Sequence, residues 1–352
     1  MQKFTASVVG GGGGGRLSLT GLAASERFEL VAAADLRPEV CEQLKQAYPG
    51  LQTFTTHQEM FQRCPTDVVC VSTFPTSHRE VAFDALRLPL KGILVEKPFS
   101  DRAEDGRAIL DTIRARKLPV AVPHGLLVLP HAMEIVGKVR AGEIGQLVLV
   151  EIECGGWDLM NAGIHWIDYF VTLIGNEPID FVMALCDAST RTYRDGLQVE
   201  TLAVTQVQTR SGIRCVMTTG DHVKIMREGK GTLLRLIGTK GMIEFWGWEN
   251  AYLQFGAQHP EGRLITVPYE KRGVHQIHLE NLAAEIDRER PDYAIAEGSL
   301  RALDICEAAY LSSRHRCKID FPFESFQPPA ENGWIPGDAY AGSGGGRDGR
   351  KL

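Results

Sequence analysis

Thr5-Ala6-Ser7-Val8-Val9-Gly10-Gly11-Gly12-Gly13-Gly14-Gly15 is a short apolar run that breaks into six consecutive glycines. Thr5 to Val9 reads as a strand. Behind the glycines, Leu17, Leu19, Leu22 and Ala23 recur as on an amphipathic helix. The glycines therefore join a strand to a helix. Read as GxGxxG, the fixed positions are Gly10, Gly12 and Gly15. Such a turn needs a tight bend, close backbone approach to a pyrophosphate, and close helix–strand packing. The helix start adds free N–H groups and partial positive charge. A flexible linker is the competing reading, and it does not explain a strand before and a helix behind. Six glycines also admit more than one register, at a cost in backbone entropy.

Phe28 to Ala34 is the second strand and ends at Asp35, 20 positions after Gly15. A carboxylate there suits the ribose hydroxyls of adenosine and favours NAD, since it repels a 2′-phosphate. The competing reading is a capping or loop residue ahead of Pro38. Arg37 accepts a 2′-phosphate if its side chain turns inward, so NADP stays open.

The alternation continues with a helix from Pro38 to Ala47, a strand from Val68 to Val71 and a helix from His78 to Leu86. Ile93 to Val95 is a strand, Ala103 to Arg116 a helix and Val120 to Val122 a strand. Strands alternating with helices imply a parallel, doubly wound sheet. Within it, Gly92-Ile93-Leu94-Val95-Glu96-Lys97-Pro98-Phe99 ends a buried strand at a proline, which cannot donate to a sheet ladder. Glu96 and Lys97 then sit at the strand's carboxyl end, where ligands bind in such sheets. A surface lysine at a strand stop is the competing reading. Ser72 and Thr73 follow another strand and border the cofactor or form an ordinary loop. His78 is either a cofactor neighbour or the start of the next helix.

The pattern then changes. Pro130 to Ala141 is a helix, and Leu147 to Cys154 a strand with Val148, Val150 and Ile152 on one face. From about Phe181 to Val267 strands predominate, separated by turns such as Ser211-Gly212 and Lys240-Gly241. Helices near His275 to Arg288 and Ser299 to Ser313 complete this second domain. The division is a dinucleotide-binding α/β domain over 1–123 and an α+β domain over 124–330. Residues 342–352, rich in Gly, Arg and Lys, read as a disordered tail.

Composition narrows the function. A chain of 352 residues exceeds one ordinary core. Its net charge of -6 gives no footprint for nucleic acid or an anionic membrane. The eight cysteines form no CxxC pair, which excludes zinc-ribbon and thioredoxin-like readings. Cys70 and Cys215 lie in strand-like runs, as reduced core thiols do. The first strand begins near Phe4, so no signal peptide is expected. No apolar run is long enough to span a bilayer. A reducing, cytoplasmic location is expected. His275 and His278 have ligand spacing, but only Glu280 joins them, so no metal site is expected.

Taken together, these parts resemble the Gfo/Idh/MocA oxidoreductases, named after glucose–fructose oxidoreductase, inositol dehydrogenase and a rhizopine catabolism protein. The resemblance runs from about Ser7 to Phe321. It rests on the glycine loop with Asp35, on Glu96-Lys97-Pro98, and on Gly142-Glu143-Ile144-Gly145. Gly163-Ile164-His165 with Asp168, Ile237-Gly238-Thr239-Lys240-Gly241 and the late segment Ala308 to Arg316 add to it. It implies a Rossmann domain followed by a domain with a large open, mostly antiparallel sheet that makes subunit contacts, as in a homodimer or homotetramer. It implies NAD(P)-dependent oxidation or reduction of a carbohydrate, cyclitol or related hydroxy compound. Lys97 matches the family's tripeptide lysine, and His165 its active-site histidine. The Lys97–Pro98 peptide is expected cis. Two positions depart from the pattern. Asn161 stands where many members carry an aspartate, and Leu127 lies near the place of a frequent arginine. Asn161 can hydrogen-bond a substrate hydroxyl but holds no charge. Asp158 or Asp168 is the available substitute.

Hydride transfer from a carbinol needs a base for the hydroxyl proton. His165, with an unperturbed pKa near neutrality, suits that role, and Lys97 would orient and polarise the oxygen. The roles can be exchanged if burial or neighbouring charge lowers the lysine's pKa. His124 and Trp157 are further substrate candidates, the first against a loop role and the second against a core role. Two other functions compete: a glycosidase that retains NAD and oxidises its substrate transiently, and a non-catalytic cofactor or sugar sensor.

Overall fold

The computed structural model describes residues 3–323 apart from 176, 188, 191 and 228. The expected tail at 342–352 and the end of the second domain at 324–330 lie outside the described residues. Strands β1 (Phe4–Val9), β2 (Phe28–Ala34), β3 (Gln52–Phe54), β4 (Val68–Val71), β5 (Gly92–Val95) and β6 (Val120–Ala121) form a parallel sheet. Its order is β3-β2-β1-β4-β5-β6. Helices α1 (Gly13–Ala24), α2 (Pro38–Ala47), α3 (His57–Arg63), α4 (Pro75–Ala85) and α5 (Ala103–Ala115) connect the strands. β4 and β5 are buried at every position, as strands covered on both faces must be.

The chain leaves β1 toward β2 and later returns to β4 on the other side. Between β1 and β4 lies the switch point at which doubly wound sheets bind ligands. Register sets the level of the site. Val9 pairs with Ala34 and Val71, and Val71 pairs with Val95. Gly10, Asp35, Ser72 and Glu96 therefore leave the sheet side by side. β3 and α3 escape the sequence reading because three residues are too few to show alternation. Thr56 nevertheless caps α3 by accepting from Glu59 N at 3.3 Å, a Thr-x-x-Glu signal the sequence carries.

The second half begins with a 3-10 turn at Gly125–Val128 and α6 (Pro130–Arg140). β7 (Leu147–Gly155), a π turn at Leu159–Gly163 and α7 (Ile164–Ile174) follow. Then come β8 (Ile179–Asp187), β9 (Thr192–Arg194), β10 (Leu197–Val199), β11 (Leu202–Thr209) and β12 (Arg214–Gly220). β13 (Thr232–Gly238), β14 (Gly241–Phe245), β15 (Ala251–Gly256) and β16 (His259–Thr266) complete the run of strands. The chain closes with α8 (Val274–Arg288), α9 (Ala294–His315) and β17 (Ile319–Asp320). Nine strands form one sheet in the order β16-β15-β14-β13-β7-β12-β11-β8-β17. β7 and β12 are parallel, and the other neighbours are antiparallel. β9 and β10 stand apart as a hairpin.

One face of this sheet packs on helices around Trp166, Tyr169, Phe170, Phe245 and Tyr252. Val150 and Ile152 are buried there, while Val148, at the start of the same strand, is exposed. The other face is open. It carries exposed Met183, Leu185 and Val204, and Arg235 bridges Glu151 and Glu153 at 3.0 and 2.9 Å. The late helices differ from the expectation that they complete the second domain. Leu279, Leu282 and Ala283 of α8 pack in the first domain with Leu19, Leu22 and Leu94. Ala296 and Leu300 of α9 join the first domain's core, while Ala302 to Ala309 join that of the second. One helix thus ties both cores together. No helix among the described residues is long and apolar enough to cross a membrane.

Candidate active site

Backbone geometry selects one register within the glycine run. Gly10 has φ +102°, and a Cβ there would lie 2.2 Å from Ser72 O. A Cβ on Gly15 would lie 1.9 Å from Gly10 O. Added to Gly12 or Gly13, it would meet nothing within 4 Å. These two residues border open space at the start of α1, with Gly12 as its N-cap residue. A phosphate group can approach free N–H groups there. The cavity in front measures about 960 Å³ and runs from Asp35 and Arg37 past Gly12, Ser72 and Thr73 to Lys97 and His165.

Asp35 Oδ2 accepts from Gly11 N at 2.8 Å, and Oδ1 accepts from Arg37 N and Nε at 2.9 Å. Burial alone would raise the Asp35 pKa, but the Arg37 and Gly11 donors outweigh it and hold the carboxyl below its usual value. Arg37 lies over Asp35 in a bidentate pair, with Nη2 donating to Oδ2 at 3.1 Å. Ser72 Oγ hydrogen-bonds Ser18 Oγ at 3.0 Å, tying β4 to α1 beneath the cavity.

At the far end, Lys97 leaves β5 through a cis peptide to Pro98. Its Nζ donates to Asn161 O at 2.8 Å. Burial lowers the Lys97 pKa, and the charges of Glu96, Asp195 and Asp158 oppose that shift without cancelling it. Glu96 is buried, and its Oε1 accepts from His275 Nε2 at 2.6 Å. Burial raises the Glu96 pKa, but His275, Lys97 and His78 together hold it below its usual range. His165, in the first turn of α7, lines the cavity beside Lys97. Its ring meets those of His124 and Trp248 edge-on, with centroids 5.4 and 5.5 Å away. Burial, then the charge of Lys97, pushes the His165 pKa well down, so its imidazole is neutral. His165 Nδ1 is buried and has no hydrogen-bond partner among the described residues.

Four candidate residues, His78, His124, Asp158 and Trp157, are not in the cavity lining. His78 is fully buried within α4, its ring nitrogens 3.0 Å from Pro98 O and Thr73 O. It fastens two cavity loops instead of facing the cofactor space. His124 is buried behind His165, bonded to Ser299 Oγ at 2.8 Å and 3.3 Å from Asp168 Oδ2. Asp158 is spent on the local fold. Its carboxylate accepts from Met160 N, Asn161 N and Asn161 Nδ2, and from Arg194 Nη1 at 2.7 Å. Consequently the Asn161 side chain points to Asp158, and Asn161 serves the cavity through its carbonyl. Trp157 is 49% exposed and lies under the Arg194 guanidinium, 4.8 Å from its ring centroid. Asp168 approaches His124, not His165, so neither aspartate forms a carboxylate pair with the cavity histidine.

Sequence reasoning missed Trp248, His275 and Asp195, all of which line the cavity. His275 was visible only as half of a ligand-spaced pair with His278. In the fold the two diverge, His275 to Glu96 and His278 Nε2 to His124 O at 3.1 Å. Trp248 and Asp195 carried no motif. At the cavity's outer end His57, Glu80 and Asp84 bring ligand atoms within 4.8 Å of one another. Asp84 already holds His57 Nε2 at 3.0 Å and Arg87 Nη1 at 2.9 Å.

A switch-point cavity with a glycine cradle, an acid at the ribose end and a lysine–histidine pair at the other defines a dinucleotide-dependent oxidoreductase. Comparison with known families agrees. Residues 4–124 match the oxidoreductase family with an NAD-binding Rossmann fold, and residues 138–321 match that family's C-terminal alpha/beta domain. The chain belongs to the Gfo/Idh/MocA oxidoreductase family. It is 25% identical over 332 residues to the rhizopine catabolism protein MocA of Rhizobium meliloti, covering 88% of this chain and 95% of that one. Levoglucosan dehydrogenase, solved with NADH and levoglucosan, superposes with a TM-score of 0.78 at 16% identity, over 91% of this chain and 100% of that one. The WlbA dehydrogenase of Bordetella pertussis, solved with NADH and UDP-GlcNAcA, gives 0.74 at 18% identity, over 92% and 99%.

Proposed function

We propose that this oxidoreductase moves a hydride between NAD(H) and a carbinol carbon of a carbohydrate, cyclitol or related hydroxy compound. The observation that carries this reading is the meeting of Lys97 and His165 in one cavity with the glycine cradle. Bound there, the nicotinamide supplies the hydride acceptor or donor. Gly12 and Gly13 leave room for its pyrophosphate, and Asp35 offers the ribose an acceptor. Lys97, steadied by Asn161 O, points its ammonium at the substrate oxygen and favours the alkoxide that forms on oxidation. His165, kept neutral by burial and by Lys97, takes the hydroxyl proton and returns it in reduction. Asp35 supports NAD over NADP, and the Arg37 pairing softens the preference.

Replacing Lys97 or His165 by Ala should lower turnover by about 10²–10⁴ and leave NADH affinity nearly unchanged. Unchanged turnover in both variants refutes the roles. A homodimer or homotetramer is proposed through the open sheet face, where Met183, Leu185 and Val204 are exposed. Sedimentation of Leu185→Glu against the parent tests it, and an unchanged mass rules that face out. The eight free cysteines support a reducing, cytoplasmic compartment.

A further inference from the structure

Beside the cavity, which Asp195 lines, stands the β9–β10 hairpin, joined to neither large sheet. Its turn is Asp195-Gly196, with φ +48° and +80°. Such left-handed pairs fit a two-residue hairpin. The hairpin is held at both sides. Arg194, the last residue of β9, bonds the buried Asp158 at 2.7 Å and covers Trp157, so the strand end before the turn is tied to the segment that carries Asn161. Gly196 lies against the first domain, where a Cβ would sit 3.0 Å from Thr76 Oγ1 and 3.6 Å from Phe74. The tip thus spans from one domain to the other, and Asp195 lines the cavity between.

The charges at this end are few. Glu96 is occupied by His275. Lys97 is the one ammonium or guanidinium lining it among the described residues. Asp195 is exposed, carries no ion pair or hydrogen bond among the described residues, and acts on Lys97 through its charge. A lone lysine would draw sugar acids and sugar phosphates into the site. A second carboxylate opposite it cancels that attraction and offers two acceptor oxygens to neighbouring hydroxyls.

Resting on the dehydrogenase reading, we infer that Asp195 is a specificity-determining residue that binds a hydroxyl pair of an uncharged polyol and turns away carboxylate- and phosphate-bearing sugars. Asp195→Asn tests this, because Asn tolerates the left-handed turn and removes only the charge. The assay measures kcat/KM with NAD+ on hexoses and cyclitols, each paired with its uronate or phosphate ester, and the Kd for NADH. The expected result is a wild-type preference for the neutral member. In Asp195→Asn the neutral-to-anionic ratio should fall by about tenfold, with NADH affinity unchanged. Turnover of neutral polyols with an unaltered ratio, or a wild-type preference for the anionic member, overturns the role of Asp195. No turnover of any compound while NADH binds normally overturns the dehydrogenase reading itself.

Discussion

The pairing of Arg37 with Asp35 makes cofactor choice a question of charge that one substitution can answer. A bare carboxylate at the ribose end would repel a 2′-phosphate. Here the guanidinium sits on both carboxylate oxygens, at 2.9 and 3.1 Å, and the pair is close to neutral. Arg37→Ala uncovers the charge. Two unit charges about 4 Å apart interact by about 1 kcal/mol in water and about 4 kcal/mol at an effective dielectric of 20. The Arg37 side chain is 56% exposed, so the lower part of that range applies. A loss of about 1–2 kcal/mol corresponds to about 5–30-fold weaker NADPH binding. NADH should bind as before or more tightly, because each Asp35 oxygen loses its guanidinium donor and can accept from a ribose hydroxyl. Titration of both reduced cofactors by nicotinamide fluorescence reads the two constants. Equal weakening of both, or weakening of NADH alone, would show that the Arg37 charge does not set the choice of cofactor.

Three further outcomes follow from the same geometry. Lys97 is held below the ordinary lysine value of 10.5, so wild-type kcat/KM for oxidation should decline on an alkaline limb below that pH. Arginine cannot lose its proton, so residual Lys97→Arg activity should show no such limb, and a persisting limb would assign it to another group. Gly15→Ala forces a Cβ against Gly10 O and should weaken NADH binding about tenfold while costing about 1–3 kcal/mol of stability. Gly13→Ala, with open space around it, should fold with an equal or higher Tm. Asp168 is buried, which raises its pKa well above 3.8. The native state therefore keeps that proton longer than the unfolded chain does, and stability is lost as pH rises from about 3.9 toward the folded pKa. Asp168→Asn removes this loss, so its Tm advantage should grow as pH rises above about 3.9; a difference that stays constant with pH would contradict it.

The fold was legible where backbone chemistry is local. Glycines at a strand end, Pro98 after a buried run and alternating apolar segments fix β1, β5 and the doubly wound order without long-range knowledge. The second sheet was legible as hairpins, but the packing of its late helices was not. Leu279 and Leu282 look the same in sequence whichever core receives them. The site divides along the same line. Lys97 and His165 were found because motifs mark them. The setting of Asp158 and Trp157 was not legible, because their partner, Arg194, lies far along the chain and no spacing announces it. His275 reaches Glu96 from 179 residues away. Asn161 was weighed by its side chain, whereas the structure uses its carbonyl, which every residue type possesses.

Net hydride transfer on a neutral hydroxy compound is the reaction proposed for the cavity of Lys97 and His165. The direct measurement is the yield of NADH against the yield of carbonyl product when the protein is given NAD+ and a panel of polyols, cyclitols and their glycosides. One NADH is expected for each carbonyl formed, with loss of both together in Lys97→Ala. Glycoside cleavage without net NADH would contradict it and favour transient oxidation with a retained cofactor.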